Sequence, residues 1–546
     1  MARLSRLIFQ TDDDCFLLKI ADQSTDSPLS DRPFSSITLR YGAAIHCNRH
    51  LAFRLPNKGS SPCFCELQTR LSGGKSMGSE ATEAVVIGSG FGGSVTASRL
   101  AEAGVKVTLL ERGPWWDTVP TRSMGVKDRA PLPRGRRLFT HSLRSIYHPL
   151  LPWGRTRFNR KGLFEVYFSK GMEVVCASGV GGGSHVYSAL HRRPLNPDYW
   201  DGHCEDLSES SMATHYESFI KRVGSSKPAP DVTPPNGAVQ MYSNHPDFAP
   251  VIPKVDVRAG FLFPRDKDNP QRVTTEHGVE RWETDYTTGD HGFLGAPSGS
   301  KSTMDIVYLA PAMQQGKLEV RALSEVISIT ATKGAAQRFR VDFYDHTKRK
   351  RRSIAADNVF VGAGALNTLR LLLESRDIHG GLSGMPNLGP RFSGNGDIRG
   401  FWDLNMHGTD FTQGVPSKGA IRLRDEDLPQ VGIGRNNMPS VNAYPFPKAF
   451  RERLKRGLVV SGMGADAMDG IVEFVGKRLR IRFNPENSPI YAKIYAAMQE
   501  MARLSGRKIY ASKRPSTVHP MGGACVGRPE AGGVIGADGQ VHGVPG

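Results

Sequence analysis

The chain has 546 residues, of which 39% are hydrophobic and 23% are charged, a balance typical of globular proteins. This length is enough for two or three compact domains with a large core. No apolar run approaches the roughly 20 residues that span a bilayer, which argues against a membrane-spanning helix. The opening stretch MARLSRLIFQTDDD is only briefly apolar and is interrupted by aspartates, so we expect no secretory signal. We predict a soluble, cytoplasmic protein.

The formal net charge is +18. A positive balance favours anionic surfaces, either acidic lipid headgroups or nucleic acid, and it is also compatible with an enzyme that is merely cationic. Because nucleic-acid binding would depend on charge alone, we predict no nucleic-acid partner and keep peripheral contact with an anionic membrane surface as an expectation. The densest cluster, KRKRR at 348–352, lies between two strand-like runs. It predicts the solvated tip of a hairpin, with a localisation signal as the alternative.

The seven cysteines are unevenly distributed, because four of them precede Met77. The few that remain in the rest of the chain indicate a reduced protein without disulfides. Cys63 and Cys65 form C-x-C instead of the C-x-x-C spacing of zinc sites, so we predict no metal site.

Residues 1–76 lack clean periodicity and are rich in serine, proline, arginine and other polar residues. They predict a poorly ordered N-terminal extension, because they offer too few apolar faces to offset the entropy of ordering. Met77 shortly precedes the first predicted strand, so a reading frame opened too early is the alternative.

The segment from Glu83 to Glu111 has the pattern of a βαβ unit. EAVVIG predicts a buried strand, GGSVTASRLAEAG a helix and VKVTLLE a second strand. Between strand and helix, Gly88, Gly90 and Gly93 form G-x-G-x-x-G, which permits a tight turn, backbone approach to a pyrophosphate and close helix–strand packing. Glu111 ends the second strand, where a carboxylate can accept hydrogen bonds from ribose hydroxyls. We predict an adenine dinucleotide site; a glycine-rich turn with nothing bound is the alternative.

Two further glycine clusters follow. ASGVGGGSHVYSAL contains Gly181, Gly182 and Gly183, a backbone with few side chains that can lie flat against a large planar ligand. Taken alone, the same stretch is equally compatible with a flexible loop. VGAGALN breaks the dinucleotide pattern where Asn367 takes the place of the last glycine, which disfavours a second nucleotide site for NAD(P)H.

The later chain alternates between irregular and periodic segments. Residues 201–300 are rich in proline and glycine with little periodicity, and 398–510 are mixed. Near the end, SPIYAKIYAAMQEMARLSG predicts a helix. Its apolar stripe would consist of Ile490, Ile494, Met498 and Met501.

Several stretches together resemble the glucose–methanol–choline (GMC) oxidoreductases: VVIGSGFGGSVTASRLAEAGVKVTLLERG, GVGGGSHVYSAL, VGAGALNTLRLLLESRD, SGNGD and VHPMGGACVG. They occur in family order, and they are most similar to the cholesterol oxidase branch. The resemblance implies an α/β fold with a discontinuous FAD-binding domain, a doubly wound parallel sheet of Rossmann type, and a second α+β substrate domain on an antiparallel sheet.

The resemblance also divides the chain. The FAD-binding domain would comprise 77–200, 301–397 and an incomplete 511–546, with a loop-rich insertion or substrate region at 201–300 and the substrate domain at 398–510. FAD is the implied cofactor. The resemblance implies that Gly88, Gly90 and Gly93 contact the pyrophosphate of FAD. It further implies that Glu111 contacts the adenosine ribose and that Val326 contacts the adenine. The implied flavin contacts are Gly181, Gly182 and Gly183.

His519 matches the active-site histidine of the family. Oxidising an alcohol to a ketone requires removal of the hydroxyl proton and passage of a hydride to the flavin. Histidine is the side chain whose unperturbed pKa best suits proton transfer near neutral pH. Pro520, Gly522 and Gly523 leave room for a flavin beside it. A lone histidine in a loop is otherwise structural or solvated.

Two departures from the family pattern limit this assignment. The family pairs its histidine with an asparagine in an NP segment after GxPG, whereas this chain ends at GVPG, so we expect a C-terminal truncation. No Asp or Glu occurs between Leu428 and Phe450, roughly where sterol oxidases that shift a double bond carry a glutamate base. We therefore do not expect isomerase activity.

The sequence as a whole predicts FAD-dependent oxidation of an alcohol, the 3-hydroxyl of cholesterol or of a related sterol or bulky lipid alcohol. The hydride would pass to FAD and its electrons to oxygen or another acceptor. The alternatives are a long-chain or other alcohol oxidase or dehydrogenase of the same family, and a catalytically inactive, truncated FAD-binding protein.

Overall fold

The structure is a computed structural model, and it describes residues 18–20, 80–194, 198–202, 204, 207–227, 246–250, 258–289, 291–424 and 431–544. Apart from Leu18–Ile20, the predicted extension 1–76 lies outside the described residues, as do the cysteines that precede Met77. Cys176 and Cys525 are free thiols. The absence of disulfides from the rest of the chain stays a prediction.

A seven-stranded sheet carries the predicted dinucleotide unit. Its parallel strands are, in spatial order, Leu318–Arg321, Val107–Leu110, Glu80–Ile87 and Lys350–Val361. The sheet continues from Lys350–Val361 as an antiparallel meander through Phe339–Asp345 and Ser324–Ala331. Leu18–Ile20 pairs antiparallel with the end of Lys350–Val361. The predicted Rossmann-type α/β sheet is confirmed.

Glycines allow the helix Phe91–Glu102 to lie close to this sheet. The helix follows the strand Glu80–Ile87, and a Cβ atom added to Gly93 would overlap the carbonyl oxygen of Gly88. Gly88 has a φ of +92°, in the left-handed region, and a Cβ atom added there would overlap the carbonyl oxygen of Gly362. The third glycine cluster therefore packs against the first, which gives Gly362 a structural role.

The KRKRR cluster spans the end of a hairpin turn and the start of the strand that follows it. Strands Phe339–Asp345 and Lys350–Val361 pair antiparallel on either side of the turn. The Asp345 carboxylate accepts hydrogen bonds from the backbone N–H groups of Thr347 and Lys348 at 3.0 and 2.8 Å. The turn residues that follow Asp345 and His346 are exposed, so the prediction of a solvated hairpin tip is confirmed.

A six-stranded antiparallel sheet forms the second architectural region, which confirms the predicted antiparallel α+β part of the fold. Its strands, in spatial order, are Phe248–Pro250, Ser417–Leu423, Ile433–Asn436, Leu458–Gly462, Ile398–Trp402 and Ile509–Ala511. The helix Pro489–Ser505 packs against this sheet, where Ile494 fills the space left by the absent side chain of Gly462.

The helix Pro489–Ser505 confirms the helical stripe predicted near the end of the chain, with one change. Three of the four predicted stripe residues are buried, whereas Ile490 is only partly buried. Tyr491 is buried in its place, because its ring packs in the core while its hydroxyl donates a hydrogen bond to Asp466 at 3.1 Å. A pattern of purely apolar residues does not identify this tyrosine.

Smaller sheets complete the β structure. A five-stranded sheet contains, in spatial order, Ser516–Thr517, Glu173–Ala177, Phe164–Phe168, Leu143–Tyr147 and Arg155–Arg157. A four-stranded sheet contains Arg478–Arg482, Gly470–Val475, Pro390–Ser393 and Met521–Gly522. Two-stranded pairs join Leu190–His191 to Arg258–Ala259, Arg272–Thr274 to Glu280–Trp282, and Trp115–Trp116 to Arg129–Ala130.

The segment 201–300, predicted to be loop-rich, contains the helix Glu209–Arg222. A capping box begins this helix: the Ser208 hydroxyl accepts from the Ser211 N–H at 3.1 Å, and the Ser211 hydroxyl accepts from the Ser208 N–H at 3.0 Å. Its buried face is Met212, Tyr216 and Phe219. These residues recur at helical spacing, a signal that the proline- and glycine-rich surroundings obscured.

The remaining helices are short. They are Val119–Ser123, Leu138–Ser142, Ala310–Gln314, Ala365–Leu373 and Lys448–Lys455. Within the ranges that the structure describes, no helix combines the length and apolarity needed to cross a bilayer.

We expect Gly93→Ala to lower the free energy of unfolding by about 2 kcal/mol or more. The added methyl group must displace the helix from its strand, and this overpacking outweighs the gain in helix propensity. Gly183→Ala is the matched control, because its added Cβ would come no closer than 3.9 Å to another atom. Denaturant unfolding measures both variants, and equal stabilities would contradict the close contact.

Candidate functional site

Residues of both large sheets line a cavity of about 1590 Å³. Ligand pockets usually measure roughly 300–1,000 Å³, so this cavity has room for a cofactor and a substrate together. Of the residues that the sequence assigned to cofactor or catalysis, the wall contains Gly88, Gly90, Glu111, Gly182, Gly183, Val326 and His519. The structure thus brings residues from distant parts of the chain to one cavity.

Gly93 and Gly181 lie behind the cavity wall. Gly93 forms the helix–strand contact described above. Gly181 has a φ of +98°, its N–H donates to the Ser89 hydroxyl oxygen at 3.2 Å, and a Cβ added to it would lie 2.7 Å from His185 Nε2. Both glycines shape the backbone on which the wall residues are carried.

The second glycine cluster packs directly on the first. A Cβ atom added to Gly182 would lie 2.6 Å from the Cα atom of Gly90. Because no side chain separates the two turns, both backbones border the same space. The juxtaposition favours a ligand-lining role for the second cluster over a flexible loop.

Glu111 holds these two turns together. Its Oε2 accepts hydrogen bonds from the Ser89 N–H and hydroxyl at 3.1 and 2.7 Å, and its Oε1 accepts from the N–H groups of Gly113 and Gly179 at 2.8 and 3.3 Å. These donors occupy the acceptor positions of a carboxylate. A ribose hydroxyl therefore reaches Glu111 only by replacing one of them, and the ribose role stays a prediction.

The residues present fit a dinucleotide cofactor. The helix Phe91–Glu102 begins at the cavity with Gly90 as its N-cap, and no side chain caps its first turn. The helix N–H groups and the positive end of its dipole are therefore placed for a pyrophosphate. Gly182 and Gly183 border the cavity without side chains, as a flat ring system requires.

An ion-pair network that the sequence did not reveal lies beside Val326. Its neighbour Glu325 contacts Arg144, Arg157 and His346 at 3.1, 2.7 and 2.7 Å. Burial alone would raise the pKa of Glu325, but the hydrogen bond to His346 and the charges of Arg144 and Arg157 hold it well below its usual range. An ionised carboxylate is thereby fixed in the cavity wall.

His519 pairs with a buried carboxylate. Its Nδ1 lies 2.9 Å from Asp397 Oδ2, and the two side chains are 23% and 4% exposed. The same oxygen accepts hydrogen bonds from the Thr517 hydroxyl at 2.8 Å and the Val518 N–H at 3.3 Å. When Nδ1–H donates to this carboxylate, the lone pair of the neutral imidazole is on Nε2, the atom that can act as a base.

Two strand pairs fix the position of this histidine. Ser516–Thr517 pairs with a strand of the five-stranded sheet, and Met521–Gly522 pairs with Pro390–Ser393. The short loop that carries His519 is therefore held on both sides, and Pro390–Ser393 leads into the SGNGD turn that ends at Asp397. Both motifs are recognisable in the sequence, but neither predicts a role for Asp397.

One row of residues across the six-stranded sheet lines the cavity. Arg399, Ser461 and Gly434 are register partners on neighbouring strands, and all three line the cavity. Arg399 Nη2 is buried and has no hydrogen-bond partner within the described part of the chain. Burial lowers the pKa of this guanidinium, while the charges of Asp397 and Glu173 act in the opposite direction.

Lys418 places a second cation in the same wall. Its side chain is buried, and its ammonium donates a hydrogen bond to the Gln413 carbonyl oxygen at 2.5 Å. Burial lowers the pKa of Lys418 to about 8, and the charge of Asp410 opposes this shift only in part. Lys418 precedes the segment Leu428–Phe450, in which the family resemblance would place a carboxylate base, and no sequence motif marks this amine.

Comparisons with known proteins agree with this architecture. Residues 86–116 match the family model of the NAD(P)-binding Rossmann-like domain. The chain is similar to the cholesterol oxidase of Mycobacterium tuberculosis, with 25% identity over 307 residues, 54% of this chain and 48% of that protein. It is similar to the cholesterol oxidase of Acinetobacter baumannii, with 25% identity over 322 residues, 53% of this chain and 50% of that protein.

Among solved structures, the fold is similar to that of pyridoxine 4-oxidase from Mesorbium loti, with a TM-score of 0.52 and 14% identity over 84% of this chain and 91% of that chain. At this identity the similarity establishes the fold alone. The chain spans about half the length of the curated relatives that it matches. Taken with the glycine motifs, the comparisons bear out the Rossmann-type fold and FAD as the cofactor.

Relative to Lys418→Met, we expect the wild-type protein to gain stability as the pH rises from about 8 to about 10. In the folded state the amine loses its proton near pH 8, whereas in the unfolded state it keeps the proton to about pH 10.4. The unfolded state binds more protons in this window, so the free energy of unfolding rises by roughly 1.4 kcal/mol per pH unit. Urea unfolding across the window measures the difference, and a constant difference would contradict a buried, titrating amine.

Proposed function

We propose that this protein is an FAD-dependent oxidoreductase that converts an alcohol group to a carbonyl group. The observation that carries the proposal is the His519–Asp397 pair in the wall of the cavity that also contains Gly88 and Gly182. A base and a dinucleotide-binding turn in one cavity are the two elements that this reaction needs. FAD, when bound, supplies the acceptor for the hydride of the carbinol carbon.

In this proposal His519 removes the hydroxyl proton. Nε2 accepts the proton, and the Asp397 carboxylate fixes the orientation of the ring and stabilises the imidazolium that forms. Asp397 is itself held by the Thr517 hydroxyl and the Val518 N–H. Rotation of the histidine ring away from Asp397 would remove one of the hydrogen bonds to this buried carboxylate, which costs free energy.

We further propose that the substrate is a bulky lipid alcohol, and within this class the 3-hydroxyl of a sterol. The cavity is large, and its apolar lining includes Tyr187, Phe261, Phe263, Val415, Met463 and Met468. Apolar walls with a few polar groups suit a ligand whose single hydroxyl must be positioned. The names of the two cholesterol oxidases to which the chain is similar favour the sterol.

We expect the purified protein to carry FAD and its visible absorbance to bleach when a 3-hydroxysterol is added without oxygen. The matched 3-ketosterol should leave the absorbance unchanged, because it offers no hydride. Gly90→Val should reduce FAD content, because a bulky side chain on this cavity-lining turn would block the approach of its backbone to the pyrophosphate. Bleaching by long-chain primary alcohols but by no sterol would contradict the sterol assignment alone. Bound FAD that no alcohol bleaches would contradict the whole proposal.

We expect Asp397→Asn to slow flavin reduction by roughly 10²-fold, because the amide no longer orients His519 or stabilises its charge. The rate of flavin reduction falls at low pH when His519 is protonated, and this fall (the pH limb) should move to lower pH in the variant. The reason is that the variant lacks the negative charge that favours the imidazolium. Rapid-mixing kinetics over a pH series measures both effects, with FAD content recorded in parallel.

Asp403→Asn is the control for this variant, because Asp403 is also a buried carboxylate but pairs with Arg453 and does not border the cavity. It should change stability without moving the pH limb. A loss of rate in Asp397→Asn with an unchanged pH limb would indicate a purely structural role for Asp397.

A further inference from the structure

Two large apolar side chains project from a loop that does not line the cavity. Leu150 is 87% exposed and Trp153 is 86% exposed. Both belong to the loop that joins the strands Leu143–Tyr147 and Arg155–Arg157. Single exposed apolar residues are common on protein surfaces, but two neighbouring ones with this exposure indicate a contact surface.

Three residues of this loop restrict its backbone. Trp153 has φ 51° and ψ 16°, in the left-handed region that bulky side chains rarely adopt. Pro149 and Pro152 further restrict the loop. Strain at an exposed tryptophan is a reason to examine the position for function. The restricted backbone also means that the loop loses little conformational entropy when it binds a partner.

A basic hairpin lies against the same loop. Arg478 donates a hydrogen bond from Nη1 to the Pro149 carbonyl oxygen at 3.2 Å. Along the strand Arg478–Arg482 the arginines are exposed and alternate with partly buried aliphatic residues. Lys477 in the preceding turn is also exposed. We name Leu150, Trp153, Lys477, Arg478 and Arg480 the tip patch.

Little negative charge offsets these cations. In the two hairpin segments, 143–158 and 470–482, Glu473 is the one acidic residue. It pairs with Arg482 at 3.0 Å and is the cross-strand register partner of Arg480. The tip patch therefore combines a protruding tryptophan and leucine with three cations, beside which these two segments place a single carboxylate.

We propose that the tip patch docks on the surface of an anionic phospholipid bilayer. An indole ring is suited to the headgroup level, where its apolar body is buried and its N–H stays hydrated. The lysine and arginine side chains would contact lipid phosphates and carboxylates, and a positively charged surface is drawn to such a membrane. The proposal does not depend on the reaction that the cavity supports.

A second copy of the chain fits this surface less well. Face-to-face association would place Lys477, Arg478 and Arg480 opposite the same three cations of the second copy, and like charges at an interface oppose binding. Nucleic acid would satisfy the charges but offers no comparable apolar layer for the Leu150 side chain. The anionic bilayer is the partner that matches both features.

Co-sedimentation of the full-length, FAD-loaded protein with vesicles tests the proposal. We expect binding to vesicles of phosphatidylcholine and phosphatidylserine and at least ~10-fold weaker binding to phosphatidylcholine alone. Leu150→Ser/Trp153→Ser and Lys477→Glu/Arg480→Glu should each weaken binding by at least ~10-fold, while FAD content stays unchanged. Bromine on the acyl chains should quench the fluorescence of the wild type more than that of Trp153→Phe.

Two controls make the result specific. Trp282→Ser removes another partly exposed tryptophan, and Lys350→Glu/Arg351→Glu makes the same charge change on the hairpin of the seven-stranded sheet, outside the tip patch. Both controls should bind as the wild type does. Equal weakening by the Lys350 and Arg351 changes would show that net charge alone drives binding and would overturn the proposal. Absence of binding to anionic vesicles, or concentration-dependent self-association lost in Leu150→Ser/Trp153→Ser, would overturn it as well.

Discussion

Backbone-to-backbone contact between glycines is the constraint on which the rest of the site depends. Gly93 lets the first helix reach Gly88, Gly362 closes on Gly88 from the neighbouring strand, and Gly182 lies against Gly90. A single added methyl group at these contacts would separate the elements. The three glycine clusters pack directly on one another and border one cavity. Glu111 links the first two of these turns through buried hydrogen bonds.

The features that could be predicted from the sequence are those encoded locally. The βαβ unit, the hairpin at the basic cluster and the helix Pro489–Ser505 each have a periodic or turn signal within a few residues. The helix Glu209–Arg222 has the same kind of signal, but its irregular neighbours hid it. Boundaries and single positions, such as Tyr491 in place of Ile490, depended on tertiary packing that a periodic pattern does not contain.

The partners of the polar groups could not be predicted for a different reason. His519 was predicted from its motif, but Asp397 and His519 are far apart in sequence, and their contact requires two strand pairings that no local pattern encodes. The same holds for Glu325, whose partners come from several elements. Buried charges are costly unless they are paired, and a sequence pattern does not show which distant groups pair.

A crystal structure of the protein with FAD and a 3-ketosterol tests the central claim most directly. The account predicts the pyrophosphate against the Gly88–Gly90 turn and, with His519 as the imidazolium, the ketone oxygen accepting a hydrogen bond from Nε2–H at about 3.2 Å or less, with Nδ1–H still on Asp397. A ketone bound away from His519, or FAD held outside the cavity, would contradict it.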